Sequence, residues 1–195
     1  MSRAARTTGL SRDLAVAAVS ALLSGLACYA IFDVDSVASW LPGIPFAVAA
    51  CLAAFVAWRP EPVRLVAAAI VIALAWVLAY WSVQETLDPI GEAIHFIEDS
   101  SAREQLGIAL SLNVGSLIGG GLTLFALGLA AGRFMAVGYW LLALGLAALV
   151  CFVDVYVVAG EAARTAMFLF LFPAWQIAIL VTALWGAART AARGG

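Results

Sequence analysis

The sequence predicts an all-α integral membrane protein, a six-transmembrane-helix bundle. Composition and the length of the apolar runs carry that prediction. Hydrophobic residues make up 65% of the 195 and charged residues only 11%, against about half and about a quarter in an ordinary soluble domain. Too few polar side chains are present to coat a water-facing surface. Apolar runs recur six times, each near the ~20 residues that a helix rising ~1.5 Å per residue needs to cross ~30 Å of hydrocarbon. None alternates polar and apolar residues as a barrel strand does, and a helix satisfies its own backbone where there is no water.

In chain order the spans are expected at about 14–32, 40–58, 65–83, 106–131, 137–159 and 166–188, one membrane domain over residues 1–195. Arg3, Arg6 and Arg12 precede the first, as they would a secretory signal. Its 19 apolar residues exceed a usual signal core, however, so a retained helix is expected. Cys28, after Ser24-Gly25-Leu26-Ala27, lacks the Leu-like residue that a lipoprotein site carries at position 25. The second span opens on Pro42, Gly43 and Pro45, and the polar turn Arg59-Pro-Glu-Pro-Val-Arg64 separates it from the third. Residues 84–105 read as the only long loop. Within it, Asp88-Pro89 looks like the start of a short amphipathic helix in the outer loop between spans 3 and 4, with Ile90, Ile94 and Ile97 at helical spacing and His95 among them.

The fourth span is rich in glycine. Gly115 and Gly119 mark one face, and Gly121, Gly128 and Gly132 a second. Helices associate in lipid by close packing of small residues, so this helix is expected at the centre, touched on two sides. Ala17/Ala21 and Ala143/Ala147 are smaller pairs of the same kind in spans one and five. Gly132-Arg133 separates the fourth span from the fifth, and residues 160–165 the fifth from the sixth. Cys28-Tyr-Ala-Ile-Phe-Asp33 and Cys151-Phe-Val-Asp154 hint that spans one-two and five-six are related hairpins.

Arginine sets the expected orientation. With both termini cytoplasmic, Arg3, Arg6, Arg12, Arg59, Arg64, Arg133, Arg189 and Arg193 lie inside, and only Arg103 and Arg164 outside. Trp58, Tyr139, Trp140 and Trp185 then form an inner aromatic belt, and Tyr29, Trp40, Tyr80, Trp81 and Tyr156 an outer one. Asp33, Asp35, Glu85, Asp88, Glu92, Glu98, Asp99, Glu104 and Glu161 all fall outside, as solvating groups or as a mouth attracting cations. Arginine without lysine, with abundant alanine, points to a bacterial source and so to the plasma (inner) membrane.

Several activities are excluded. A net charge of −2 does not suit a nucleic-acid partner. One His, no Lys and three scattered Cys leave no expectation of a metal, haem, retinal or other cofactor, nor of a catalytic constellation. Polar groups at membrane depth are costly and therefore informative. Asn113, Ser116, Asp154 and Gln176, with Trp76 and Trp175 as flat apolar walls, are the expected ligand-binding residues of an outward-facing polar and aromatic pocket. In size and span count the chain is similar to the substrate-capturing subunits of vitamin importers, which have six helices and an outward site, although no motif of that family is present. Two functions fit: a small membrane-embedded solute-binding or transport protein, aided by a membrane partner or homo-oligomer, or a non-catalytic accessory subunit of a larger membrane complex.

Overall fold

The computed structural model describes residues 3–32, 41–158 and 164–193. These form six helices, and among the described residues there is no strand: α1 (Arg3–Phe32), α2 (Gly43–Trp58), α3 (Pro62–Ala93), α4 (Ser100–Ala131), α5 (Val137–Val153) and α6 (Arg164–Arg193), with a π-helical turn, Asp154–Val158, extending α5. Five are long and apolar enough to cross a membrane, and α2 is a shorter apolar helix. The architecture is that of a multi-pass helical membrane bundle. Asp33, Asp35, Trp40 and Glu161, and the side chains of Arg3, Arg6, Arg164 and Arg193, lie outside the described residues.

Each helix packs against its neighbours in sequence, and α6 closes the ring onto α1. The ring is not even. Helices α2, α4 and α6 also touch one another, whereas among the described residues α1, α3 and α5 make no mutual contact. Three antiparallel hairpins therefore each contribute one inner and one outer helix. The start of α1 and the end of α6 lie at one end of the bundle, called here the termini end. Burial follows the same rule: about half of the apolar window is buried in α4 and α6, against 17% in α3.

Bare backbone explains the closest approaches. A Cβ on Gly115 would sit 2.5 Å from Val83 Cγ2 and 2.8 Å from the Ala79 carbonyl oxygen. One on Gly119 would sit 2.9 Å from Ala79 Cβ. The bare backbone of α4 thus meets the Ala79 carbonyl of α3 at Gly115 and the Ala79 methyl at Gly119. Gly25 of α1 does the same against the backbone of Phe172 and Pro173 in α6. Ala17, Ala21, Ala143 and Ala147 are fully buried.

The expected second glycine face needs correction. Gly121 has nothing within 4 Å of where its Cβ would be. Gly120 faces inward instead, toward Leu144, Ile179 and Trp175. Gly128 lies beneath the Phe134 ring, and Gly132 caps α4 at φ 66°. Gly128 is bare because the chain folds back over the helix end, and at Gly132 the Arg64 side chain of α3 lies across the turn. Only a residue without a Cβ takes that left-handed turn at little cost.

The short amphipathic helix between spans 3 and 4 is also corrected. Helix α3 runs unbroken to Ala93, with Pro89 inside it. Helix α4 starts at Ser100, capped by Asp99, whose Oδ1 accepts from Ser101 N at 2.9 Å and Ala102 N at 3.1 Å. Pro89 lacks one N–H and forfeits one helical bond, which does not end a helix favoured on both sides by Leu87, Ile90 and Glu92. His95 falls in the turn after α3, its Nδ1 2.7 Å from the Glu92 carbonyl oxygen. At 32 residues each, α3 and α4 are ~48 Å long and overrun a hydrocarbon layer of ~30 Å. Helix α2, with 16 residues, is only ~24 Å long.

Replacing Gly115 by Ala is expected to lower stability by ~1–3 kcal/mol, because the α3–α4 contact must open. Replacing Gly121 by Ala is expected to be neutral or to stabilise by up to ~1 kcal/mol, since the position is open and Ala favours helix. Thermal unfolding of the two purified variants separates these outcomes.

Candidate functional site

The short α2 makes the site. Its first helical residue, Gly43, lies against Trp76, midway along α3: a Cβ there would sit 2.9 Å from Trp76 Cβ. Beyond that level α3 continues to Ala93, with no α2 alongside. A cavity of about 140 Å³ opens at this step, in the half of the bundle away from the termini.

Helical periodicity supplies its walls. From α3 come Trp76, Ala79, Tyr80 and Val83, from α4 Leu112, Gly115, Ser116, Gly119 and Thr123, and from α6 Phe168, Leu171, Phe172 and Trp175. Each set repeats at three- and four-residue steps, as residues on one helix face must. Phe46 in the first turns of α2, Cys151 of α5 and Gln84 at the solvent side complete the lining. The glycines that bring α3 and α4 together therefore also keep the α4 wall flat.

The aromatic rings hold one another in place. Phe46 meets Trp175 edge-on with centroids 5.5 Å apart, and Trp76 meets Phe172 edge-on at 5.2 Å. Phe168 stacks on Phe172 at 5.4 Å. Edge-to-face pairs of this kind add ~0.5–1.5 kcal/mol each beyond area burial. The Trp175 indole lies over the Gly119-Gly120 backbone, and its Nε1–H donates to Ser116 Oγ at 2.7 Å. That bond satisfies the one polar atom of the indole and leaves its apolar face to the cavity. Thr123 donates its hydroxyl to the Gly119 carbonyl at 2.7 Å.

Of the six residues expected from sequence, the structure brings Trp76, Ser116 and Trp175 to the cavity and keeps Asn113, Asp154 and Gln176 off its wall. Asn113 Nδ2 donates to the Ala109 carbonyl of its own helix at 2.7 Å. Gln176 is fully buried among α1, α2 and α6. Its Oε1 accepts from Ser24 Oγ, its Nε2 donates to Cys28 Sγ at 3.3 Å, and the Cys28 thiol donates to the Pro42 carbonyl at 2.8 Å. This chain of buried polar atoms ties three helices together where α2 begins.

Asp154 is likewise fully buried, and among the described residues neither carboxylate oxygen has a hydrogen-bond partner. It opens the π-helical turn that joins α5 to its contacts with α4 and α6. Cys151, three residues earlier, reaches the cavity; Asp154 does not. Among the described residues no three His, Cys, Asp or Glu side chains converge as metal ligands.

Sequence reasoning missed Phe46, Tyr80, Phe168 and Phe172. The signal was present as aromatics at positions 76 and 80, and at 168, 172 and 175, all at helical spacing. Amides and acids drew attention instead, because their cost in lipid is high.

Gln176→Leu is expected to lower stability by ~1 kcal/mol, the scale of an interhelical hydrogen bond in lipid, while the cavity keeps its shape. Asp154→Asn removes a bare carboxylate and is expected to leave the melting temperature unchanged or raised; a drop of several degrees would reveal a donor holding it. Comparison with protein-family models, with curated proteins and with solved structures finds no match to this chain.

Proposed function

We propose that the protein is a small membrane-embedded binding or transport protein for an apolar, ring-sized solute. The observation that supports this reading is the aromatic cavity with Ser116 and Trp175 at its centre. Its ~140 Å³ is close to the ~150 Å³ of an engineered apolar cavity that takes up benzene. A drug-sized ligand needs several hundred Å³. One aromatic or alicyclic ring with a short substituent therefore matches the enclosed volume. Six aromatic side chains offer it faces and edges, and the hydroxyl of Ser116 offers one polar contact.

In this reading α2 is the sixth crossing, both termini lie in the cytoplasm, and the membrane is the bacterial plasma membrane. The arginine distribution supports that orientation: Arg12, Arg59, Arg64, Arg133 and Arg189 stand at the termini end and Arg103 at the other. The cavity then opens toward the outer leaflet, with Gln84 and Tyr80 at its mouth. Moving a solute onward requires a rearrangement of the hairpins, or a membrane partner or second copy that drives it. The accessory-subunit reading needs no cavity and is tested by the same experiment.

Indole and benzyl alcohol serve as probes. Titrated into the purified protein, one or both are expected to bind saturably by calorimetry. Ser116→Leu, which fills the cavity, abolishes this, and Gln176→Leu does not. Absence of saturable binding, or equal binding by Ser116→Leu, overturns the solute-binding reading. Recovery of a stoichiometric membrane partner together with absent binding favours the accessory subunit.

A further inference from the structure

A second cavity, of about 410 Å³, lies at the termini end of the α3–α4 pair. Its walls come from the first turns of α3 (Val63, Arg64, Ala67) and the last turns of α4 (Gly128, Leu129), with Gly132 and Phe134 at the turn that follows. The two helices touch closely at Gly115 and Gly119 but not here. Phe134 folds back over Gly128 and stacks on Phe125 with centroids 5.6 Å apart, walling one side. The groove is charged at one end and apolar along its length. Ala67 and Gly128 lie about one helical turn deeper than Arg64 and Gly132, so it runs from the helix ends toward the middle of the bundle.

Arg64 is the charged end. Its guanidinium crosses the Gly132 main chain so closely that a Cβ there would sit 2.5 Å from Nη1. Its Nε faces Glu61 Oε2 at 3.6 Å, an exposed pair. Among the described residues its two terminal nitrogens have no acceptor. Arg133 stands in sequence between the lining residues Gly132 and Phe134 and is exposed, as is Arg59 in the neighbouring turn. Three arginines against one glutamate make this corner cationic.

We propose that this groove binds an anionic phospholipid, its phosphate held by Arg64 and Arg133 and one acyl chain laid along Val63, Ala67, Leu129 and Phe134. The charge and the shape select the occupant together. A guanidinium with two unpaired nitrogens suits a phosphate oxygen pair, and basic pockets between transmembrane helices recognise anionic headgroups. An apolar trough leading from that charge into the hydrocarbon suits the chain attached to the same headgroup. Phe134, packed over Gly128, supplies one side of the trough, and the Arg64 guanidinium over Gly132 its charged end.

Native mass spectrometry of the full-length protein tests this, with phosphatidylglycerol and phosphatidylcholine of identical acyl chains as probes. Phosphatidylglycerol is expected to remain bound at least tenfold more strongly than phosphatidylcholine. The double variant Arg64→Gln/Arg133→Gln is expected to lose about tenfold or more of that affinity, on the scale of two surface arginines. Arg189→Gln, which removes one arginine charge at the same end away from the groove, keeps it. Ala67→Trp, which blocks the trough and leaves the arginines, also loses it. Equal retention of the two lipids, equal loss in Arg189→Gln, or full retention in Ala67→Trp overturns the proposal.

Discussion

The whole arrangement depends on main chains that touch without side chains between them. In hydrocarbon nothing drives two apolar helices together except packing and a few hydrogen bonds, because lipid tails are as apolar as leucine. Gly115 and Gly119 against Ala79 and Val83, and Gly25 against Pro173, are where this chain meets that constraint. Each is an approach that a single methyl group would block. These approaches seat the outer helices α3 and α1 on the inner helices α4 and α6. Alanines fill the remaining seams: Ala50, Ala53, Ala126 and Ala143 are all fully buried.

Close packing of one pair and the shortness of another helix together produce the cavity. Were α2 as long as its neighbours, its outer turns would fill the space above Phe46. A helix start leaves backbone N–H groups without partners inside the helix, and no side chain caps those of α2. The Pro42 carbonyl there accepts the Cys28 thiol, which in turn accepts from Gln176, and Gln176 binds Ser24. Two sets of buried polar atoms thus differ in role. One set ties the start of α2 to α1 and α6; the other, Ser116 with Trp175, furnishes the aromatic wall beside it. A strong dividing line between the two is what lets the wall remain largely apolar.

The helical class, the start of α5 at Val137 and the importance of glycine in α4 were legible in the residues, because apolar length and missing side chains are local properties. The continuity of α3 through Pro89 was not. Asp88-Pro89 satisfies the local signature of a helix start, and only the long pairing of α3 with α4 reveals that the helix has already begun. The two faces of α4 were half legible: Gly115 and Gly119 act as packing residues, but Gly121 points into open space and Gly120 does the inward work. A one-residue shift rotates a helical position by ~100°, which a list of glycines does not register. For the site, tryptophans and Ser116 stood out by type. Asn113 and Gln176 were drawn in by the same logic, yet their amides are spent on backbone and on neighbouring helices. Chemistry identified the polar residues at depth; which of them face a cavity depends on where α2 stops.

The central claim is that a ring-sized apolar space persists between α3, α4 and α6 above Phe46. Xenon is the most direct probe, because it enters dry apolar cavities of this size and needs no knowledge of the natural ligand. Diffraction from crystals of the protein pressurised with xenon is predicted to show an atom bounded by Trp76, Ser116, Phe172 and Trp175. Xenon absent from that position, with the aromatic side chains collapsed across it, would contradict the account.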